Sequence, residues 1–181
     1  PRLGPYYRIT CNVVATVHIT AVWFVGDFVF SGLSPLAISA SIKTALSGLS
    51  ILGVVLLVTA LYGYDLGRLA GTAQIRSHRQ GINEPEDEPL RLTGFHAYVR
   101  HPVYTGAYLI LWGGAQDHFG LATAVWGSAY LAVGTMFEER RLLSLYGDEY
   151  REHRTKVPAL IPWRGKANKL QKHLTPGRIA V

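Results

Sequence analysis

The chain has 181 residues, of which 49% are hydrophobic and 17% are charged, and its formal net charge at pH 7 is +6. This length fits a single domain, and the single cysteine excludes an internal disulfide and a cysteine-rich zinc cluster. The basic residues crowd beside apolar segments instead of forming one stripe interleaved with aromatic residues, which argues against a nucleic-acid-binding protein.

Long stretches without Asp, Glu, Lys or Arg indicate membrane-spanning helices, because a soluble amphipathic helix would carry a charge every turn or two. The predicted spans are residues 11–30, 39–64, 102–116 and 121–137. The third is short, since at 1.5 Å per residue it covers only about 22 Å. The predicted fold class is therefore all-α: a polytopic integral membrane helical bundle with about four transmembrane helices.

Arginine and lysine residues predict the orientation, because the cytoplasmic loops of membrane proteins carry an excess of both. Nearly all of them precede the first span, join the second span to the third, or follow the fourth. These positions all lie on one side of the membrane, and the opposite turns carry almost no basic residue. The basic side, with both termini, is predicted to be cytoplasmic.

Three polar segments lie outside the predicted spans. Residues 65–100 include an acidic, proline-broken loop at 83–89 that is predicted to be a mobile cover. Residues 138–156 are predicted to form two short amphipathic helices, split at Gly147, that lie along the membrane interface. Residues 1–163 are assigned to one domain, and residues 164–181 are predicted to be a poorly ordered basic tail.

The hairpin of the third and fourth spans is predicted to bring two polar clusters together. Arg100, His101 and Tyr104 lie at the start of the third span. Glu138 and Glu139 lie at the end of the fourth, where a carboxylate is costly unless it has a partner. The cost of unpartnered carboxylates favours a ligand site. The same residues also fit an alternative without a ligand site, in which Arg100 and Tyr104 are interfacial anchors and the glutamates are solvated.

The residue types in these clusters suit a ligand that carries both a carboxylate and a cationic group. Pro102 fits the first helical position, and the free N–H groups that follow it point the positive end of the helix dipole at an anion. Tyr98, Tyr104 and Tyr108 offer ring faces that attract a cation. S-adenosylmethionine has an α-carboxylate, an ammonium and a sulfonium, and the glutamate pair could meet the ammonium.

An ordered series of motifs supports this interpretation: RHPxYxG at residues 100–106, paired glutamates at 138–139, YGxEY at 146–150 and VPxxIP at 157–162. The series resembles the isoprenylcysteine carboxyl methyltransferase and phospholipid methyltransferase superfamily over residues 90–163. Residues 5–12 and 64–68 are similar to bacterial branches of it, including the NnrU-like proteins and the methanethiol methyltransferases.

The resemblance implies an all-helical membrane methyltransferase that uses S-adenosylmethionine and faces the cytoplasm, in a bacterial inner membrane. The implied catalytic residues are Arg100, which would orient the acceptor or the cofactor carboxylate, and Glu138. The implied cofactor-binding residues are Gly94, Tyr98, His101, Pro102, Tyr104, Glu139 and Tyr146. No metal is predicted, because no three ligands converge.

Two other functions compete with this one. A membrane reductase of the sterol type could use NADPH, with Arg140, Arg141 and Arg154 gripping its 2′-phosphate. An NnrU-like protein without catalytic activity could use its basic helices to bind anionic lipid. The predicted partners are the bilayer and a lipophilic or small-molecule methyl acceptor, and the acceptor is open among lipids, thiols, amines and carboxylates.

Overall fold

The structure, a computed structural model, describes residues 4–62, 64–81 and 90–166, and its regular secondary structure in these ranges is helical. The α-helices are α1 (Tyr7–Phe30), α2 (Ala40–Leu61), α3 (Leu66–Ala70), α4 (Thr72–Gln80), α5 (Pro102–Gly113) and α6 (His118–Lys156), with short 3₁₀ helices at Gly4–Tyr6 and Gly94–Ala97. No strand occurs in these ranges, which confirms the all-α fold class. The predicted acidic cover at 83–89 and nearly all of the predicted tail lie outside the described residues.

Three helical stretches in the described part of the chain are long and apolar enough to cross a membrane: Gly4–Phe30, Ala40–Leu61 and His118–Lys156. The predicted third span falls short of this length. Its helix, α5, has 12 residues and is therefore about 18 Å long, against a hydrocarbon core of about 30 Å. The helix ends early because a polar turn follows Gly113, and in that turn Asp117 already caps α6 by accepting from the Gly120 N–H.

The last helix corrects a second prediction. Residues 138–146 do not form a separate interfacial helix, since α6 continues through Phe137 as far as the kink at Gly147, and only residues 148–156 follow that kink. No glycine or proline lies between Phe137 and Gly147 to end the helix. The predicted split at Gly147 is confirmed, because this residue has φ 52° and ψ −123°, a conformation that side-chain-bearing residues rarely adopt.

Small residues let α2 and α5 pack with their backbones close together. A Cβ atom on Gly53 of α2 would lie 2.8 Å from the carbonyl oxygen of Gly106 in α5, and one on Gly113 would lie 2.3 Å from Ser50 Oγ. On its other side α5 meets α6, where Tyr108 and Trp112 both donate to Ser128. The short helix α5 is thus held between two longer ones.

Helix α1 lies at the edge of this group and is tied down at both ends. At its start Arg8 donates to the Arg68 carbonyl, and Asn12 donates to the carbonyls of Leu69 and Ala70 at the end of α3. At its other end the ring of Phe30 contacts that of Phe119 in α6. The first contacts bring α3 to the same end of the molecule as the start of α5.

After α6 the chain turns back along the start of α5, and residues 157–162 are called the return segment below. The Arg100 and His101 amides donate to the carbonyls of Pro158 and Ala159, at 2.9 and 3.0 Å. The Thr105 hydroxyl donates to the Leu160 carbonyl. These bonds fix the entry to α5 against the end of α6.

Large apolar side chains on the outer helix faces are exposed. Phe28 is 81% exposed, Trp126 76% and Tyr130 79%. A soluble protein of this size rarely leaves such a continuous apolar surface in water, whereas a bilayer would cover it. Together with the three candidate spans, this surface identifies an integral membrane protein.

Candidate active site

The site is built around the entry to α5. Pro102 is the first residue of the helix, and its side chain is fully buried. His101 precedes it with φ −124° and ψ 67°, so the chain turns sharply there. The carbonyls of the return segment accept hydrogen bonds from the Arg100 and His101 amides. The side chains of these two residues therefore point toward α6 and contact Glu139.

Arg100 and Glu139 form the central ion pair. The Arg100 guanidinium donates from Nε and Nη2 to Glu139 Oε1, at 2.8 and 2.5 Å. Its Nη1 donates to the carbonyls of Arg154 and Val157, at 3.2 and 2.5 Å. The two paired side chains are only 10% and 11% exposed. A charged pair at this depth depends on having its remaining donors and acceptors satisfied, and the backbone carbonyls do this for Arg100.

His101 lies between the two glutamates. Its Nε2 is 3.3 Å from Glu139 Oε1, and its Nδ1 is 3.7 Å from Glu138 Oε2. The ring stacks on Tyr104, with ring centres 5.5 Å apart and planes 15° apart. Arg154 completes the cluster at 3.3 Å from Glu139 Oε2. Glu139 thus has three cationic or protonatable partners, whereas the Glu138 side chain remains 43% exposed.

The cluster forms one wall of a half-open cavity of about 250 Å³. Both polar and apolar side chains line it. The residues around it are Arg8, Tyr64, Arg68, Leu69, Leu90, Arg91, His96, Arg100, His101, Pro102, Val103, Tyr104, Glu138, Arg141, Leu142, Leu145, Tyr146, Tyr150 and His153. Its volume is just below the usual range of small-molecule sites, about 300–1,000 Å³.

One buried polar atom on this wall has no partner of good geometry within the described part of the chain. It is the hydroxyl of Tyr150, whose residue is 2% exposed and lies close to Arg100. Buried hydroxyls are nearly always hydrogen-bonded, and the Arg100 guanidinium is the neighbouring donor for this one.

A second histidine also lines the cavity, next to Arg100. His96, in the 3₁₀ helix Gly94–Ala97, contacts the Tyr64 hydroxyl through Nε2 at 2.9 Å and the Arg100 carbonyl through Nδ1 at 3.1 Å. Burial is the largest of the effects that lower the pKa of His96 from its ordinary value. The Arg91 guanidinium lies 4.5 Å from the centre of the Tyr64 ring.

The structure brings together most of the predicted site residues. Arg100, His101, Pro102, Tyr104, Glu138 and Tyr146 line the cavity, and Glu139 supports it from behind. Gly94 and Tyr98 are not on its wall: Gly94 starts the 3₁₀ helix with φ 64°, and Tyr98, 41% exposed, follows that helix. Their assignment to cofactor binding stays a prediction, as do the roles of the others.

Sequence reasoning missed the contributions of the first half of the chain. Arg8, Tyr64, Arg68 and Leu69 line the cavity although they precede the predicted hairpin by 30 residues or more in the sequence. The motif-like string at residues 64–68 was the available signal. In the described ranges no three His, Cys, Asp or Glu side chains gather as a metal site requires.

Comparison with known proteins finds relatives that are named as methyltransferases. Methanethiol S-methyltransferase 1 of Bradyrhizobium diazoefficiens is 34% identical over 116 residues, which are 64% of this chain and 40% of the relative. Methanethiol S-methyltransferase of Crocosphaera subtropica is 32% identical over 120 residues, 64% of this chain and 45% of the relative. Protein-S-isoprenylcysteine O-methyltransferase of Schizosaccharomyces pombe is 33% identical over 92 residues, 48% of this chain and 38% of the relative.

The chain spans less than half the length of these relatives. Neither a family model nor a solved structure matches it significantly.

Proposed function

Because the chain belongs to the isoprenylcysteine carboxyl methyltransferase-like family, we propose that it is a membrane methyltransferase that takes its methyl group from S-adenosylmethionine. The observation that carries the proposal is the cavity at the entry to α5, which is lined by the Glu138 carboxylate and by the rings of Tyr104 and Tyr146. When bound there, the cofactor would supply a methyl group already activated by a sulfonium. The protein then has mainly to align the acceptor and exclude water.

The two glutamates have different roles in this proposal. Glu139 is engaged by Arg100, His101 and Arg154, so it positions the entry to α5 and does not bind the cofactor. Glu138 is the more exposed of the two and lines the cavity, so it would bind the cofactor's ammonium. The motif resemblance implied a catalytic Glu138 and a cofactor-binding Glu139 and left open which of the two meets the ammonium. In this proposal Glu138 meets it, and Arg100 is a positioning residue.

Tyr104 and Tyr146 would hold the cationic and aromatic parts of the cofactor, since both line the cavity and aromatic faces attract a sulfonium. Both rings therefore suit the cationic and aromatic groups of S-adenosylmethionine.

The proposed acceptor is a small thiol. Two of the relatives are named for methanethiol. The apolar side of the cavity, formed by Leu69, Leu142 and Leu145, suits a small apolar group beside the reacting sulfur. The relatives give no support to the NADPH reductase alternative, since they are named as methyltransferases.

We further propose that the cavity faces the cytoplasm of a bacterial inner membrane. The start of α1, the end of α2 and the end of α6 lie at the end of the molecule that carries the basic residues, which is the side that membrane insertion retains in the cytoplasm. The acceptor would enter from the lipid and the cofactor from the cytoplasm.

Methyl transfer by the full chain in lipid nanodiscs tests this proposal. We expect the protein to convert methanethiol to dimethyl sulfide with stoichiometric formation of S-adenosylhomocysteine, measured by gas chromatography and mass spectrometry. Glu138→Gln should lower kcat/KM roughly 10- to 100-fold, because it removes a hydrogen bond to a charged group. Glu149→Gln, at an exposed position of the same helix, is the matched control and should match the parent.

Calorimetric titration distinguishes the competing functions. The proposal predicts binding of S-adenosylhomocysteine and no binding of NADPH. Binding of NADPH alone would favour the reductase, and binding of neither nucleotide by the folded protein would favour the non-catalytic protein.

A further inference from the structure

The hydrogen bonds of His96 define which of its ring nitrogens carries the proton. Nδ1 lies 3.1 Å from the Arg100 carbonyl oxygen, which can only accept, so Nδ1 donates. In the neutral ring Nε2 is then an acceptor. The Tyr64 hydroxyl, 2.9 Å away, must therefore donate to Nε2.

The surroundings of His96 keep its ring neutral. Burial is the main cause of its lowered pKa, and the charges of His101 and Arg91 act in the same direction. The hydrogen bond to the Arg100 carbonyl and the charge of Glu138 oppose them. His153, on α6, also interacts with His96 electrostatically. The balance leaves Nε2 able to accept a proton at neutral pH.

The pair opens onto the place where an acceptor would react. Tyr64 and His96 both line the cavity, together with Glu138 and Tyr104. The hydroxyl of Tyr64 is held by His96 at one end, and Arg91 lies over its ring. A thiol that enters the cavity beside Tyr64 is thus one hydrogen bond from Nε2 of His96.

We propose that Tyr64 and His96 form a proton relay that activates a thiol acceptor, an inference that rests on the proposed methyl transfer. The S–H bond of the thiol breaks as its proton passes to the Tyr64 oxygen, while the Tyr64 hydroxyl proton passes to Nε2 of His96. The thiol sulfur forms the new bond to the methyl carbon. The electron pair of the broken methyl–sulfonium bond stays on the donor sulfur, and the proton on His96 is later lost to water.

Methylation of a thiol needs a proton acceptor because the thiolate, and not the neutral thiol, is the nucleophile. Methanethiol is largely protonated at neutral pH, so a positioned base should accelerate its reaction. Glu138 is less well placed for this task, since its carboxylate faces the His101 ring and the Tyr104 hydroxyl. The relay therefore assigns different residues of the cavity to the cofactor and to the acceptor's proton.

Nitrogen NMR of histidine-labelled protein tests the geometry without cofactor or substrate. We expect the proton of neutral His96 on Nδ1, and we expect Tyr64→Phe to raise the pKa of His96, because it removes a bond that stabilises the neutral ring. Tyr62→Phe is the matched control, since Tyr62 is 90% exposed, and it should leave the pKa unchanged. A proton on Nε2, or an unaltered His96 titration in Tyr64→Phe, overturns the relay.

Kinetics with two thiols tests the chemistry. His96→Gln should lower kcat with methanethiol about 100- to 1,000-fold and remove the acid limb of the pH profile. With an aromatic thiol, which is already ionised at neutral pH, the loss should be at least ten-fold smaller. Equal losses with both thiols overturn the relay and leave the methyltransferase standing. A parent protein inactive with both thiols overturns the proposed function, while the NMR result still reports on the hydrogen bonds.

Discussion

Adjacent glutamates have different environments here because an α-helix turns successive residues about 100° apart. Glu139 faces the entry to α5 and is 9% exposed, whereas Glu138 borders the cavity. The pair could be recognised in the sequence, and so could its proximity to Arg100. Which glutamate is buried depends on how α6 is rotated about its own axis, and that is decided by packing against α5.

The buried ion pair leads to a prediction about stability. Glu139→Ala leaves the Arg100 guanidinium buried without its counter-charge, so the free energy of unfolding should fall by about 3–5 kcal/mol. Glu149→Ala removes an exposed carboxylate of the same helix and should change it by less than about 0.5 kcal/mol. Denaturant unfolding in mixed micelles, followed by circular dichroism, provides the measurement. Equal effects of the two substitutions would falsify a stabilising role for this pair.

The element that holds the site in place is the short helix α5, which is too short to cross a bilayer alone and is fixed by its neighbours. Glycines on α2 and α5 allow the close approach, and Tyr108 and Trp112 join α5 to α6. Hydrogen bonds and van der Waals contacts of this kind hold helices together where lipid replaces water. The return segment then closes over the start of α5.

Two glycines of α2 provide a matched pair for testing this contact. A Cβ atom on Gly53 would clash with the α5 backbone at 2.8 Å, so Gly53→Ala should lower the free energy of unfolding by about 1–3 kcal/mol. Gly48 has nothing within 4 Å, and Gly48→Ala should stabilise the helix by about 0.5–1 kcal/mol. Thermal unfolding of the two variants should therefore shift in opposite directions. A stabilised Gly53→Ala variant would show that α2 and α5 are not in this contact.

At the scale of the whole molecule, the two ends of the bundle differ in chemistry. One end carries the cavity, the arginines and the return segment. At the other end the His118 ring contacts the Ser34 carbonyl at 3.0 Å, next to the Phe30 and Phe119 rings. An asymmetry of this kind sets the orientation in a membrane, because basic segments are retained in the cytoplasm.

Cysteine labelling tests the proposed orientation. In a Cys11→Ser background, a membrane-impermeant maleimide should label Ser34→Cys in intact bacterial cells. It should label Glu149→Cys only after the membrane is opened. The opposite pattern would place the cavity outside the cytoplasm and contradict the proposed entry of the cofactor.

The sequence by itself determined the all-helical membrane class and the segments in which the apolar helices lie, because a charge-free stretch has few stable alternatives in water. It also identified the Arg100 and Glu139 regions as partners, since a hairpin must bring its two open ends together. The helix ends near Gly113 and Gly147 could be predicted from the sequence only in part. The Gly147 break was predictable, whereas the continuity of α6 through Phe137 was not.

Only the tertiary structure decided which groups complete the site. Tyr64, Arg91 and His96 meet the hairpin through long-range packing that no local pattern encodes. The same holds for the return segment, whose carbonyls satisfy Arg100. Hydropathy acts on each segment independently and can be read along the chain, but a hydrogen bond between distant residues depends on the relative placement of helices. That placement results from side-chain packing across the whole molecule.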